Sequence, residues 1–239
     1  MIEGRSVLAI VPARAGSKGI ARKNLRAIGG RPLVARVGDV VRSVSEIDRA
    51  IVSTDDIEIA KMAATVGLEA PFVRPATLSS DAATSLDVIV HALEFVEALD
   101  GHDYGIVVLL EPTSPLRTAE HVSAAIRMLI ERDFDSVWTL SLTDSKAHPL
   151  KQLIVTDGVL EFYDPKGRMI TARQQLKPVY HRNGVAYVFT RDCLLGQRSI
   201  IGRKAGALVI DDEQISIDTE RDIDCAEWIM SRRSGKAPA

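Results

Sequence analysis

Arg14, Ser17, Lys18, Lys23 and Asn24 fall within one short stretch, VPARAGSKGIARKNL (11–25), interleaved with Gly16 and Gly19. Cations, a hydroxyl and two glycines packed this closely suit phosphate capture. Glycines let backbone N–H groups turn toward an anion while the side chains supply positive charge. The stretch has neither the G-x-x-x-x-G-K-[ST] order nor G-x-G-x-x-G, which argues against a P-loop NTPase and a dinucleotide dehydrogenase. Between Glu3 and Asp39 there are eight Arg or Lys residues and no acid, leaving 22 of the 30 basic residues to face all 32 acidic ones elsewhere. Charge focused on one loop of a chain with net charge −2 fits a small polyanion such as a nucleotide. It does not fit an extended nucleic-acid surface.

Two further polar clusters follow apolar runs: Ser53-Thr54-Asp55-Asp56, and Glu111-Pro112-Thr113-Ser114-Pro115-Leu116-Arg117. In the second, the prolines fix the backbone and leave the Thr113 and Ser114 hydroxyls to donate. Loops of this kind line the ligand crevice beyond the carboxyl ends of parallel strands, so the elements before them must be strands. Short apolar runs at 6–11, 49–54, 69–73, 104–110 and 136–142 read as strands. They alternate with helical patterns at 32–44, 55–66, 84–99 and 118–132, Pro32 standing at a good first-turn position. That rhythm predicts a three-layer α/β/α domain with a mostly parallel, Rossmann-like sheet. From 148 to 192 the pattern changes to a two-residue period (152–155, 159–163, 185–189) with Asp157-Gly158 as a hairpin turn. We expect a small antiparallel insertion at 148–192 within a main domain formed by 1–147 and 193–239. A last strand at 207–210, a helix at 219–230 and a frayed polar tail from 231 complete the reading.

The rest of the composition is ordinary for a globular protein, with 46% hydrophobic and 26% charged residues. No apolar run approaches the roughly 20 residues that span a bilayer, no secretory signal opens the chain, and Cys193 and Cys225 lack ligand spacing. The cytoplasm is the expected location, with no membrane or nucleic-acid partner. The five histidines show no metal-ligand spacing, and His121 reads as the exposed start of a helix.

PARAGSKGIARKNL resembles the signature of the acylneuraminate cytidylyltransferase family, the CMP–sialic acid synthetases and their relatives for legionaminic-type nine-carbon sugars. Further motifs agree in order: Ser53-Thr54-Asp55, Arg74-Pro75 with Leu78-Ser79-Ser80-Asp81, the Leu110–Arg117 run, Arg173-Gln174, Tyr180 with Asn183-Gly184, and Ile217-Asp218-Thr219 with Asp222. The resemblance spans about residues 6 to 230. It implies transfer of CMP from CTP to the anomeric hydroxyl of a 2-keto-3-deoxy sugar acid, release of pyrophosphate, a need for Mg²⁺, and a homodimer joined through the 148–192 insertion. Carried onto this chain, it implies nucleotide contacts from Arg14, Ser17, Lys18, Lys23, Asn24, Arg74 and Ser85. For the sugar acid it implies Glu111, Thr113, Ser114, Arg173, Gln174, Tyr180 and Asn183. Arg14, Lys23 and Asp218 would be the catalytic set, with Asp218 holding the metal. Two departures stand out. Glu111 occupies a position where the family often has glutamine, and Ser216 replaces the first of two aspartates. Asp218 also reads as an N-cap, and Ser79, Ser80 and Asp81 as capping residues before the 84–99 helix. A Kdo-type CMP-sugar synthetase is the nearest alternative enzyme, although the resemblance would then call for a loop without Gly-Ser-Lys-Gly. A nucleotide-sugar-binding regulator without catalysis is the alternative of another class.

Overall fold

The computed structural model describes residues 1–17 and 19–233; Lys18 and residues 234–239 of the tail lie outside the described residues. The first strand, β1 (Val7–Pro12), has five of its six residues buried, so neither face can meet water and a layer must cover each side. Val7, Ala9 and Val11 enter one apolar cluster and Leu8 and Ile10 the other, as the two-residue period of a strand requires.

Beyond β1 come a two-residue antiparallel pair, β2 (Ala27–Ile28) and β3 (Arg31–Pro32), then α1 (Leu33–Val41), β4 (Arg49–Ser53), α2 (Ile57–Ala64), the single turn α3 (Ala76–Ser79), α4 (Ser85–Asp100), β5 (Ile106–Leu109), α5 (Ala119–Glu131) and β6 (Ser136–Leu142). A hairpin of β7 (Leu153–Thr156) and β8 (Val159–Phe162) precedes the long β9 (Tyr180–Thr190), α6 (Arg191–Leu195), β10 (Ala205–Val209) and α7 (Glu220–Arg233). The central sheet runs β10-β6-β9-β5-β1-β4; β9 alone is antiparallel to its neighbours. Apolar residues of α1, α2 and α5 cover one face and those of α4 and α6 the other. The α/β/α sandwich with a mostly parallel sheet is therefore as the sequence suggests. A third small cluster joins Ile28 and Leu33 to Ile217, Ile223 and Ala226, fastening α7 beside the β2–β3 pair.

Two expected elements differ. Residues 69–73 form no strand: Glu69 makes one parallel bridge to Ile51 and the chain turns away. Residues 185–189, read as part of the insertion, lie in β9 at the centre of the main sheet, between β5 and β6. Their unbroken burial is the mark of a central strand rather than of an exposed hairpin. The hairpin at Asp157-Gly158 is present, both residues having positive φ (51° and 80°), as a type I′ turn demands.

Helix starts follow the side chains. Asp56 accepts from the Glu58 N–H (2.7 Å), Thr84 from the Asp87 N–H (3.2 Å) and Thr118 from the His121 N–H (3.3 Å), each satisfying a donor that the helix cannot. His121 is mostly buried against Asp212 (3.6 Å) rather than exposed, because its ring accepts from the Thr118 N–H.

The far edge of the sheet is held by charge. Arg49 on β4 donates to Asp100 at the end of α4 and to Glu69 (2.7 Å), and the Tyr104 hydroxyl donates to Asp100 (2.6 Å). The Arg49 and Tyr104 hydrogen bonds hold the Asp100 carboxyl below the usual carboxylate range. A depressed folded pKa contributes stability above the unfolded value, and that contribution is lost as pH falls through the folded one. Asp100→Asn should thus lower unfolding free energy by about 2 kcal/mol at neutral pH, with the deficit shrinking below about pH 4. Urea titrations of both proteins across that range measure it; a deficit independent of pH would show that the charge of Asp100 does not matter.

Candidate active site

The strand order places a crevice at β1. The chain leaves β1 to reach β4 on one side and returns to β5 on the other, which is a topological switch point where loops part and leave room for a ligand. Loops after β1, β4 and β5 leave the same edge of the sheet. The loops after β1 and β5 enclose a cleft of about 600 Å³ together with Arg74, the start of α4 and Asp218. Its walls include Arg14, Ser17, Lys23 and Asn24 from the first loop, Arg74 and Ser85 from the segment before and into α4, Glu111 and Thr113 after β5, and Asp218 before α7.

The first loop is fixed from below. The Ala13 N–H donates to the Ser53 carbonyl (2.9 Å), prolonging the β1–β4 ladder, and the Ala15 N–H donates to Asp55 (2.8 Å). Because Asp56 caps α2, Asp55 is left for this task. Buried Asn24 donates from Nδ2 to the Arg14 carbonyl (2.9 Å), so it closes the loop rather than pointing outward. Arg14 donates to Asp81 (2.7 Å) and to the Ser79 carbonyl (3.2 Å). The residues 79–81 therefore do not cap α4, since Thr84 does; they hold Arg14 across the cleft. Arg74 is buried, donating to the Ser53 hydroxyl (3.0 Å) and the Ser53 carbonyl, and burial pushes its guanidinium down to about 10.

Lys23 donates to the Ile217 carbonyl (2.8 Å) and to Asp218 (2.9 Å), and the Ile217 N–H donates to the Thr113 carbonyl (2.9 Å). Three loops distant in sequence thus meet at one point. Asp218 is not the cap of α7: Thr219 and Asp222 exchange hydrogen bonds there, with the Thr219 N–H donating to the Asp222 carboxylate (2.7 Å). The Asp218 carboxylate stays 71% exposed at the cleft rim. Gly19 makes this junction possible, because a Cβ there would stand 2.2 Å from the Asp218 carbonyl oxygen.

Toward β9 the cleft ends at Glu111. Burial raises its carboxyl, while Arg117, Arg182 and Lys23 pull it down and Asp218 pushes it up. Arg117 is 6% exposed; it donates to the carbonyls of Glu111 (2.6 Å), Gly184 (2.8 Å) and Val185. It thereby binds the turn after β5 to an irregularity in β9, where pairing with β6 skips from Tyr187 to Arg182. At that bulge Gly184 has φ 69°, and a Cβ there would meet the Ser114 hydroxyl and the Glu111 carboxylate within 2.7 Å.

Several residues assigned from the sequence to the sugar acid lie elsewhere. The Ser114 hydroxyl is buried and spent on the Asn183 carbonyl (2.8 Å). Asn183 is buried too, accepting from Thr139 (2.7 Å) and donating to Ser141 (3.1 Å), so it organises the bulge. Arg173, Gln174 and Tyr180 are exposed and outside the cleft of their own chain. Sequence reasoning passed over Asp55, Arg117 and Arg182. Asp55 and Arg117 stood inside quoted motifs without a role. Arg182, beside Asn183-Gly184, packs over the Trp138 ring (5.4 Å) within electrostatic reach of Glu111.

The Gly19 contact makes a test. Gly19→Ala should weaken binding of a nucleoside triphosphate about tenfold, ~1.4 kcal/mol, by parting the first loop from Asp218. The urea midpoint should stay near that of the parent, since the loop is at the surface. Unchanged affinity by calorimetry would remove the junction from the site.

Residues 8–229 match the family model described as Cytidylyltransferase. The CMP-N,N'-diacetyllegionaminic acid synthase of Legionella pneumophila is 29% identical over 236 residues, 95% of each chain. The N-acylneuraminate cytidylyltransferase of Escherichia coli O18:K1:H7 is 27% identical over 95% of this chain and 53% of its own length. Among solved structures, CMP:2-keto-3-deoxy-manno-octonic acid synthetase complexed with CTP aligns with a TM-score of 0.69 at 16% identity, covering 95% of this chain and 99% of that one; at that identity the likeness speaks for the fold. The family match takes in the loop after β1, the Glu111 turn and Asp218 alike: the chain belongs to the cytidylyltransferase family.

Proposed function

We propose that this chain moves CMP from CTP to the anomeric hydroxyl of a nine-carbon 2-keto-3-deoxy sugar acid of the sialic or legionaminic type. The observation carrying this reading is that Arg14 and Lys23 face Glu111 and Thr113 across one cleft. Triphosphate on the loop would therefore present its α-phosphate to an acceptor lying beside the β5 turn. In the reaction the sugar hydroxyl loses its proton, its oxygen bonds to the α-phosphorus, and the bond from that phosphorus to the β-phosphate bridge breaks, releasing pyrophosphate. Arg14 and Lys23 neutralise the negative charge gathering on the departing phosphates, and the held loops supply alignment. Ser17 adds a hydroxyl at the same wall, and Lys18 belongs to the same loop by sequence. Arg74 and Ser85 line the same cleft, and the reading puts the cytidine beside them. The full-length similarity to a legionaminic acid synthase supports the nine-carbon class.

Mg²⁺ belongs to this reading as the counter-charge of the triphosphate. Among the described residues no three acidic, His or Cys side chains converge as a metal cage. A magnesium ion bound chiefly through phosphates and water needs only one or two carboxylates, and exposed Asp218 at the rim fits that part, with the Ser216 hydroxyl close by in sequence. When bound, the ion would lower the charge of the leaving pyrophosphate. Dimer formation is also proposed. The β7–β8 hairpin exposes Leu153, Val155, Val159 and Leu160, an apolar surface suited to a second copy, and Arg173, Gln174 and Tyr180 on the same segment would then reach the partner's cleft. A cytoplasmic location accords with the use of CTP, and no described helix is long and apolar enough to cross a membrane.

Pyrophosphate release, followed with CTP, Mg²⁺ and a panel of neuraminic, legionaminic, pseudaminic and eight-carbon Kdo acids, tests the reaction. Turnover with a nine-carbon acid is expected, and Arg14→Ala or Lys23→Ala should reduce it by about 100-fold, near 3 kcal/mol of transition-state stabilisation. Turnover with Kdo alone, or CTP binding without turnover on any acid, would replace the proposal. Asp218→Asn should raise the Mg²⁺ concentration needed for half-maximal rate several-fold; an identical metal titration would leave Asp218 only its hold on Lys23.

A further inference from the structure

A second pocket, of about 320 Å³, lies on the other side of the Glu111 turn, lined by Arg36, Pro115, Leu116, Arg117, Met230 and Arg233. It shares no lining residue with the cleft and is on the order of ten water volumes in size. Three of its six walls are guanidinium groups, and none of the three ion-pairs among the described residues. Each is tethered to main-chain carbonyls instead: Arg36 to Ile28 (2.9 Å from Nε), Arg233 to Glu213 (2.7 Å), and Arg117 to Glu111, Gly184 and Val185. Neutral acceptors orient a guanidinium without cancelling its charge.

The acids nearby are committed elsewhere. Asp39 and Glu227 bear on Arg36, but Asp39 is taken by Arg31 (2.7 Å) and Arg42 (2.5 Å), and Glu227 accepts from the Gly29 N–H (2.8 Å). Glu111, the acid nearest to Arg117 in effect, opens onto the catalytic cleft. Arg117 donates from Nε and Nη2, while Nη1 has no protein acceptor among the described residues. Three oriented cations around one hollow, none in direct contact with a carboxylate among the described residues, are costly to hold together unless an anion enters. The planar donor fork of arginine matches a phosphate's oxygens.

We infer that this pocket is a second anion site, for a small phosphate-bearing anion of the inorganic phosphate or pyrophosphate class, separate from the triphosphate loop. The apolar side formed by Pro115, Leu116 and Met230 limits water around the ion and so strengthens its pairing with the three arginines. Arg117 stands between the two sites, since the residue that faces this pocket also donates to the Glu111 carbonyl.

Calorimetric titration of pyrophosphate into the Arg14→Ala/Lys23→Ala protein isolates the second site from the cleft. One binding event is expected, and adding Arg36→Gln and Arg233→Gln to that background should weaken it at least tenfold. Arg233→Gln alone, at the exposed end of α7, should weaken it measurably while leaving the thermal midpoint unmoved, so a folding defect cannot mimic the result. Absence of pyrophosphate binding by the Arg14→Ala/Lys23→Ala protein, or binding indifferent to Arg36→Gln and Arg233→Gln, would overturn the inference. The readout is binding alone, so it stands or falls apart from the proposed reaction.

Discussion

The ammonium of Lys23, shared between the Ile217 carbonyl and the Asp218 carboxylate, joins segments 195 residues apart in the chain, and the cleft closes around that joint. The constraint behind it is charge. Eight cations within the span from Arg5 to Arg36 would repel one another, and four of those nearest the cleft are compensated from elsewhere in the chain. Arg14 takes Asp81, Arg22 takes Glu58, Arg26 takes Glu220 and Lys23 takes Asp218. Acids from three separate segments are thereby drawn around the loop. Such pairs, largely solvent-exposed, are individually weak. Pairs of that strength hold Arg14 and Lys23 in place while leaving both side chains able to exchange partners.

That economy depends on a rigid floor. β1 and β4 are locked by their ladder, extended through Ala13, and the loop above them rests on Asp55 and Asn24, which bond to main chain. Side chains that must move are thus carried by backbone that need not. Gly19 completes the arrangement by letting two backbones touch where any Cβ would part them. The Arg49–Asp100–Tyr104 cluster serves the opposite edge of the sheet, fixing β4 to the end of α4. In this way β4 and α4 keep their spacing.

The fold was legible where the signal was local. β6 at 136–142 and the Asp157-Gly158 turn could be read directly, because a short run rich in strand formers and a turn with positive φ leave strong marks on residue type. β9 was misplaced for the opposite reason. Its position between β5 and β6 is set by long-range pairing, and alternation around it resembles a hairpin until the unbroken run VAYVF is weighed as a buried strand. The site divides the same way. The loop after β1 is contiguous, so its cations could be found together in the sequence. The Glu111 side of the cleft is assembled by a bulge that only the sheet reveals. Ser114 and Asn183, both polar and both within motifs, turn inward to satisfy that bulge, while Arg182, one residue away, faces the cleft's charge. Nothing in residue type distinguishes a hydroxyl that binds substrate from one that satisfies a buried carbonyl.

Glu111 shows how such an assembly can alter chemistry without altering fold. A glutamine at this place would present a neutral donor and acceptor to an anionic sugar acid, whereas an ionised glutamate would repel it. The carboxyl here is lifted by burial and by Asp218, and lowered by Arg117, Arg182 and Lys23. Its charge is consequently tied to whatever occupies the surrounding cations. Drawing Lys23 away would remove one of the influences that favour the charged form of Glu111, and a protonated Glu111 offers one O–H donor beside a carbonyl acceptor, one donor fewer than an amide. The charge of Glu111 is thereby coupled to Lys23, the same residue that joins the loop after β1 to Asp218.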